Sequence, residues 1–505
     1  MKLKKTCHNQ LIWIRKHSSI VFPLLAFTIP LVVRAIPELL MGRFLVGFDT
    51  IGYYVPNTLV YLGSGVDFWS LIASAPLLYG VLMGVTGAGA SIVVVLKILG
   101  PLILALLGIA VYFYSIKALS WSPIKSLVAA LLSTLYFVAL RISWDMLRSE
   151  LALVFMFIAL ILLQKKEFNF KNGLLLSITM VLVVLTHQLF ALVMFAIVIV
   201  SLLVMLIRKN LIRFLKVSVF ILPSVFVFSI IVYLTYFVFS LPIAGYSTEF
   251  AGGFQSLLMS SHLSFVADTL GFIVYCYLPL IPFLIFGLRK FRGNVQLNAW
   301  MGWLFIPLLL AVLSPYNLVI GGVLPFRWVL LLTYPLTFYA VEGIFSIKWN
   351  WYKIGYKVAV ASIIAFLSVS FLVLPNSEAI SYFNEYTSYV PKSMLQNTLQ
   401  LSDCQDALNA LEWSKTNLPS DGYLLVHQAF YGWAALTLGI NKLVFYDFGD
   451  PALAAATFSN SSTHPLYLVW WVNGTGWYGQ RNVPSVFSEI YHSGDIGIFK
   501  FIQNS

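Results

Sequence analysis

Asp49 stands in Gly47-Phe48-Asp49, a few residues before Tyr53, Tyr54 and Pro56, in a chain that is only 10% charged. A carboxylate beside a membrane span is costly unless it is paired or lines a wet cavity. Asp49 therefore leads the residues that could form a chemical centre. A second acidic group follows in Arg141-Ile142-Ser143-Trp144-Asp145, with Arg148 and Glu150 just beyond. Thr186-His187, Glu249 and Arg327 complete the set. Each also has a plainer reading. Asp49 can be a solvated loop residue, Asp145 can pair with Arg141 or Arg148, His187 can cap a helix, and Arg327 can snorkel to an interface.

The elements that must position these residues are set by composition. The 505 residues are 60% hydrophobic, with mean hydropathy +0.88. A soluble globular chain uses roughly 45–50% apolar residues, so that class is excluded. The net charge of +12 comes from 31 Lys+Arg against 19 Asp+Glu. The cations fall mostly in short segments between apolar runs, which is the positive-inside pattern and not a nucleic-acid surface. Cys7, Cys276 and Cys404 are too scattered for a disulfide framework. Lys2, Lys4, Lys5, Arg15 and Lys16 precede an apolar run that passes Pro30 to Arg34 with no small-residue cleavage site, so it is expected to be retained as a first span.

Apolar runs near the length of a bilayer crossing predict about eleven spans, at 18–36, 88–115, 124–140, 149–164, 172–186, 188–207, 217–241, 263–287, 296–313, 326–346 and 357–374. The cationic loops then place the N-terminus inside and the chain after Leu374 outside. One apolar stretch, from Lys171 to Arg208, is interrupted only by Thr186-His187-Gln188. Two short helices meeting at His187 keep the charge rule; a single long one inverts every later loop. Asp49, Asp145, His187, Glu249 and Arg327 then gather at the outer face. The first outer connection, 37–87, contains an apolar part at 69–83 that reads as a helix lying in the interface. A second, 241–262, holds Glu249 and the Gly252-Gly253 pair.

The composition changes after Leu374. Ten of the 19 acids lie between Glu378 and Asp495. Helix-like 403–416, 431–438 and 451–458 alternate with strand-like 423–427, 443–448 and 466–471, and a pair near 489–491 and 496–501 closes the pattern. This predicts a small α/β domain at 375–505, outside the membrane, after a transmembrane domain at 1–374. Asn460-Ser461-Ser462 and Asn473-Gly474-Thr475 fit the N-glycosylation pattern and agree with an external tail.

Gly47-Phe48-Asp49…Tyr53, Arg141…Asp145…Glu150, Thr186-His187 and Phe326-Arg327…Tyr334-Pro335, within this arrangement of spans and tail, resemble the GT-C glycosyltransferases. The resemblance implies an α-helical polytopic membrane enzyme taking a sugar from a polyprenyl (dolichyl) phosphate or diphosphate carrier. The acceptor would be a protein or a glycolipid at the outer face of the cell membrane. Asp49 would orient or deprotonate the acceptor, Asp145 would support it, and Arg327 would bind the carrier phosphate. His187, Glu249, Glu150 and Tyr53 would support the site or bind the acceptor. In members that use a divalent cation, Mg or Mn, Asp49, Asp145 and His187 would be its ligands. Oligosaccharyltransferases of this class carry a WWDYG-type motif, whereas here Trp470-Trp471-Val472-Asn473-Gly474 lacks the Asp; transfer of a single sugar is the expected variant. A secondary transporter or lipid-linked-sugar flippase, and a span-anchored structural protein, are the alternatives. The crowding of acids at one face favours the transferase.

The topology is checked by single cysteines in a background without the native three. Ser247→Cys and Ser461→Cys are expected to react with an impermeant thiol reagent on intact cells, and Asn210→Cys is not. Labelling at position 210 would invert the later loops.

Overall fold

The computed structural model describes residues 18–502 apart from 64–67, 75, 166, 240–261, 291–293, 304–324, 348–350, 380–385, 387–389, 447–449, 477–478 and 481. Among these residues, seven helices are long and apolar enough to cross a membrane, or up to nine if each of two bent pairs is one span. Helix α1 (Ser18–Leu40) is followed by a π-helical turn (Thr50–Tyr54), α2 (Val55–Gly63), α3 (Phe68–Ala73) and α4 (Pro76–Gly87). The last two occupy the stretch expected to lie in the interface. Helix α5 (Ile92–Lys117) packs along α1.

Helices α6 (Pro123–Leu135) and α7 (Phe137–Asp145) are one bent pair, turned by 56° at the extended backbone of Tyr136. A second break at Met146 separates α7 from α8 (Leu147–Gln164). Helices α9 (Phe170–Thr186) and α10 (Gln188–Ile207) part at His187, whose φ of −160° and ψ of 120° are extended. The apolar stretch between Lys171 and Arg208 is therefore two helices. Helix α9 has 17 residues, about 26 Å at 1.5 Å per residue, which is short for a ~30 Å core. Helix α11 (Leu211–Tyr233) continues into a π-turn (Leu234–Val238). Helices α12 (His262–Tyr277) and α13 (Ile281–Lys290) meet at 88°. Of the expected span 296–313 only α14 (Val295–Gly302) is seen, since 304–313 lies outside the described residues. The bundle closes with α15 (Pro325–Leu331), α16 (Thr333–Ser346) and α17 (Trp351–Val373). Lys125 of α6 ties to Glu342 of α16 at 2.5 Å while lying 4.1 Å over the Trp121 ring.

The tail follows the expected alternation. It runs α18 (Leu401–Asn417), β1 (Tyr423–His427), α19 (Gln428–Leu438), β2 (Leu443–Tyr446), α20 (Pro451–Ser461) and β3 (Leu466–Trp471), with a short β4–β5 pair (Thr475–Gly476, Gly479–Gln480) before β6 (Phe487–Ser493) and β7 (Ile496–Phe501). The five-stranded sheet has the order β2-β1-β3-β7-β6. Strand β1 is parallel to β2 and β3, while β7 is antiparallel to β3 and β6. Strand β3, LYLVWW, is buried at every position, as a central strand covered on both faces must be. Strand order reverses between β1 and β3, so their carboxyl ends form a topological switch point.

Among the described residues the sheet shares its core with the helical part. Leu425, Trp470 and Ile498 belong to one apolar cluster with Leu45, Ile51, Tyr54, Leu78 and Leu96 of the helical part. The chain leaves α17 at Val373 and comes back to it where the Met394 amide donates to the Phe371 carbonyl at 2.7 Å. Residues 393–399 are all buried between the two parts.

A Cβ at Gly432 of α19 would lie 1.7 Å from the Ile51 carbonyl oxygen, so only glycine permits this contact. Gly432→Ala is expected to destabilise the solubilised protein by ~1–3 kcal/mol, the usual scale of overpacking. Gly84→Ala, whose Cβ would meet nothing within 4 Å, is expected to leave the melting temperature unchanged or raised. Thermal melting in detergent compares the two. A Gly432→Ala protein as stable as the parent would mean that α19 is not seated on Ile51.

Candidate functional site

The site is built around the last turn of α7. Gly47 has φ +97°, and a Cβ there would lie 1.9 Å from the Trp144 carbonyl oxygen and 3.2 Å from the Asp145 Cα. Glycine alone supplies both the left-handed backbone and the close approach. The Gly47 amide donates to the Gln396 carbonyl at 3.0 Å. Trp144 Nε1 donates to the carbonyls of Met394 and Gln396 at 3.1 and 3.2 Å. The segments bearing Asp49 and Asp145, separated by almost 100 positions, are thus in contact. Asp145 pairs with Arg141 at 2.5 Å, both side chains nearly buried, and the guanidinium lies 4.9 Å over the Trp144 ring. Of the two arginines flanking Asp145, Arg141 is the partner seen. Arg148 turns to the Ser74 carbonyl at 2.8 Å.

Asp49 is half-buried immediately before the π-turn. Burial raises the pKa of Tyr54 and of Tyr79; the Asp49 charge adds to both shifts and Arg148 opposes them. Both side chains therefore stay phenols at neutral pH. The Arg148 amide reaches the Tyr54 hydroxyl at 3.5 Å, and Asn57 donates to the Tyr79 hydroxyl at 3.0 Å. The Tyr54 and Tyr79 rings are 6.1 Å apart, and Arg148 lies 5.8 Å from the Tyr79 ring. A carboxylate, an arginine and two phenols thus share one neighbourhood, which can accept a proton and stabilise a developing negative charge. Tyr54, Tyr79 and Arg148 are not among the residues expected at the site from the sequence. The Tyr53-Tyr54 doublet and the position of Arg148 after Asp145 were signals; Tyr79 gave none.

Tyr53, expected at an acceptor site, receives a hydrogen bond from Gln428, and its ring lies 6.2 Å from Phe48. Gln428 is the first residue after β1, so the switch point of the tail sheet abuts the Asp49 turn. His427, before it, accepts the Ala429 amide at 3.2 Å and packs edge-on to Trp470. Trp470 and Trp471 are core residues, and Trp471 Nε1 donates to Asp403 at 2.9 Å.

His187 caps α10, its Nδ1 accepting the Leu189 amide at 3.2 Å, with its ring against Phe190. The plainer reading of this residue holds at that nitrogen. Gln188 next to it donates to the Ala73 carbonyl at 3.3 Å, adjacent to the Ser74 carbonyl that takes Arg148. The start of α10 therefore adjoins the loop that holds Arg148. Glu150 is fully buried, with no hydrogen-bond partner among the described residues for either carboxylate oxygen, within electrostatic reach of Arg34 and Tyr334. It belongs to the bundle interior. Arg327 is in α15, which packs on α7, but its side chain and all of Glu249 lie outside the described residues. Among the described residues no three His, Cys, Asp or Glu side chains group as a metal site. Asp49, Asp145 and His187 accordingly do not form a three-ligand set: Asp145 is turned to Arg141, and one nitrogen of His187 is spent on the cap. Comparison with protein-family models and with curated proteins gives no match for this chain.

The Arg141–Asp145 pair makes a testable claim. Arg141→Met alone leaves the Asp145 charge buried without this partner, which typically costs ~3–5 kcal/mol. Arg141→Met with Asp145→Asn is expected to recover most of that loss. A denaturation double-mutant cycle in detergent measures the coupling, and simple additivity would dissolve the pair.

Proposed function

We propose that the protein is an integral membrane glycosyltransferase of the GT-C type. It moves a sugar from a polyprenyl (dolichyl) phosphate carrier to a protein or glycolipid acceptor at the outer face of the cell membrane. The N-terminus is then cytoplasmic, the α/β tail extracytoplasmic, and the full span count about eleven. One observation carries the reading: Asp49 is held half-buried where bundle and tail meet, with the Asp145 segment in contact and Arg148 nearby. That is where a membrane-borne donor and an aqueous acceptor would meet.

In the reaction the bond between the anomeric carbon and the carrier phosphate oxygen breaks, and the phosphate keeps the electron pair. The acceptor oxygen or nitrogen bonds to that carbon and gives its proton to Asp49. An oxocarbenium-like centre of this kind is what carboxylates serve in other glycosyl chemistry. Arg327 is assigned to the carrier phosphate, since a guanidinium fork matches phosphate oxygens. Asp145, braced by Arg141, supports the Asp49 turn.

A transporter or flippase has one observation in its favour, the buried charges Arg34, Glu38 and Glu150 within or beside spans. The decisive variant is Asp49→Asn, which keeps size and hydrogen bonding but cannot take the proton. Loss of a positioned base typically lowers the rate ~10²–10⁴-fold. Transfer of labelled sugar from polyprenyl-phosphate donor in membranes reads this, alongside protein level and melting. Near-normal transfer by well-folded Asp49→Asn would remove Asp49 from the centre. Loss of transfer with donor translocation intact separates the enzyme from a flippase.

A further inference from the structure

Arg34 lies on α1 and is completely buried. Its Nε and one terminal nitrogen both donate to the Ser143 carbonyl at 3.2 Å, and the other terminal nitrogen donates to Glu38 at 2.9 Å. Lys97 of α5 braces Glu38 in turn, with Nζ 2.7 Å from its carbonyl oxygen and 3.5 Å from its carboxylate. Gly100 of α5 makes room for the guanidinium: a Cβ there would lie 3.2 Å from a terminal nitrogen of Arg34.

Ser143 lies in the last turn of α7, where the Met146 amide still closes on the Ile142 carbonyl at 2.9 Å but the break at Met146 takes the helical donor from the carbonyl that follows, that of Ser143. A guanidinium at that end supplies two donors and a positive charge facing the negative end of the helix. The next carbonyl, Trp144, bears on Gly47, and the next side chain is Asp145. We propose that Arg34 is a positioning residue of the site: through Ser143 it fixes the last turn of α7, and through that turn both Asp145 and the Asp49 segment. Its catalytic consequence rests on the transferase reading; its structural consequence does not. Arg34 itself touches no substrate. Lysine cannot replace it, because a point charge on a flexible stem cannot hold a carbonyl and a carboxylate in a fixed fork.

Two variants keep the charge and disturb the fork. Arg34→Lys removes it, and Gly100→Ala presses on it from α5. Gly84→Ala is the control. Hydrogen exchange by mass spectrometry on the full-length protein in detergent follows peptides covering 44–54 and 141–148, with 423–427 and 466–471 as references. Faster exchange is expected in the first two and not in the references. In the transfer assay, kcat is expected to fall ~10–100-fold in Arg34→Lys, the scale of a misplacement of about 1 Å, with KM for the lipid donor unchanged, and less in Gly100→Ala. Unchanged exchange in both segments overturns the proposal, as does a change spread evenly into the references. Local loosening with unaltered kcat overturns the positioning role. If the unmodified protein transfers no sugar, the transferase reading fails by that result alone, and the exchange pattern still decides whether Arg34 sets the α7 turn.

Discussion

A helix that ends inside a packed bundle leaves carbonyls that must find donors from elsewhere. Helix α7 ends that way, and much of the site follows from how its last turn is satisfied. Arg34 takes the Ser143 carbonyl, Gly47 lies against the Trp144 carbonyl, and the Trp144 indole holds the 394–396 segment. Three distant parts of the chain converge there because each meets a group that this turn leaves unsatisfied or uncovered. In a chain only 10% charged, Arg34, Glu38, Arg141 and Asp145 are all spent beside this turn. Buried ions are tolerated when paired and costly when one partner is lost, so the last turn of α7 is held in one arrangement.

The tail is fastened to the same place. Its sheet has the strand order that elsewhere leaves a crevice for a ligand at the switch point. Here the first residue beyond β1, Gln428, bonds to Tyr53, and Gly432 of the following helix rests on Ile51. The Thr398 hydroxyl donates to the Ala429 carbonyl, and Asn397 Nδ2 donates to the Leu45 carbonyl. Helix α19 and the buried 393–399 strap therefore grip the Asp49 turn from two sides. A shared apolar core, with Leu45, Ile51 and Tyr54 on one side and Leu425 and Trp470 on the other, means that tail and turn are buried together. A change that loosens the tail is thereby a change in the surroundings of Asp49.

The sequence by itself determined the parts whose signal is local. Hydropathy marked the apolar helices, the His187 interruption marked the break between α9 and α10, and period and turn chemistry placed β1 and β3 at their observed limits. It also grouped Asp49 with Asp145, expected at a common membrane face, and the two segments are in contact. Tertiary structure decided what depends on distance and backbone geometry. Segment 124–140 looked like one span but is bent at Tyr136, where nothing in the apolar run announces an extended residue. Arg141 won Asp145 over Arg148 because four residues along a helix bring side chains together, whereas Met146 breaks the helix before Arg148. Lys97 had no sequence partner; its partner Glu38 is 59 positions away and adjoins it only where α1 packs on α5. Tyr79 and Gln428 reach the Asp49 turn by the same kind of long-range packing. Hydropathy records which side chains avoid water, but not which buried polar group faces which, and that pairing is fixed only when the helices and the sheet close on one another.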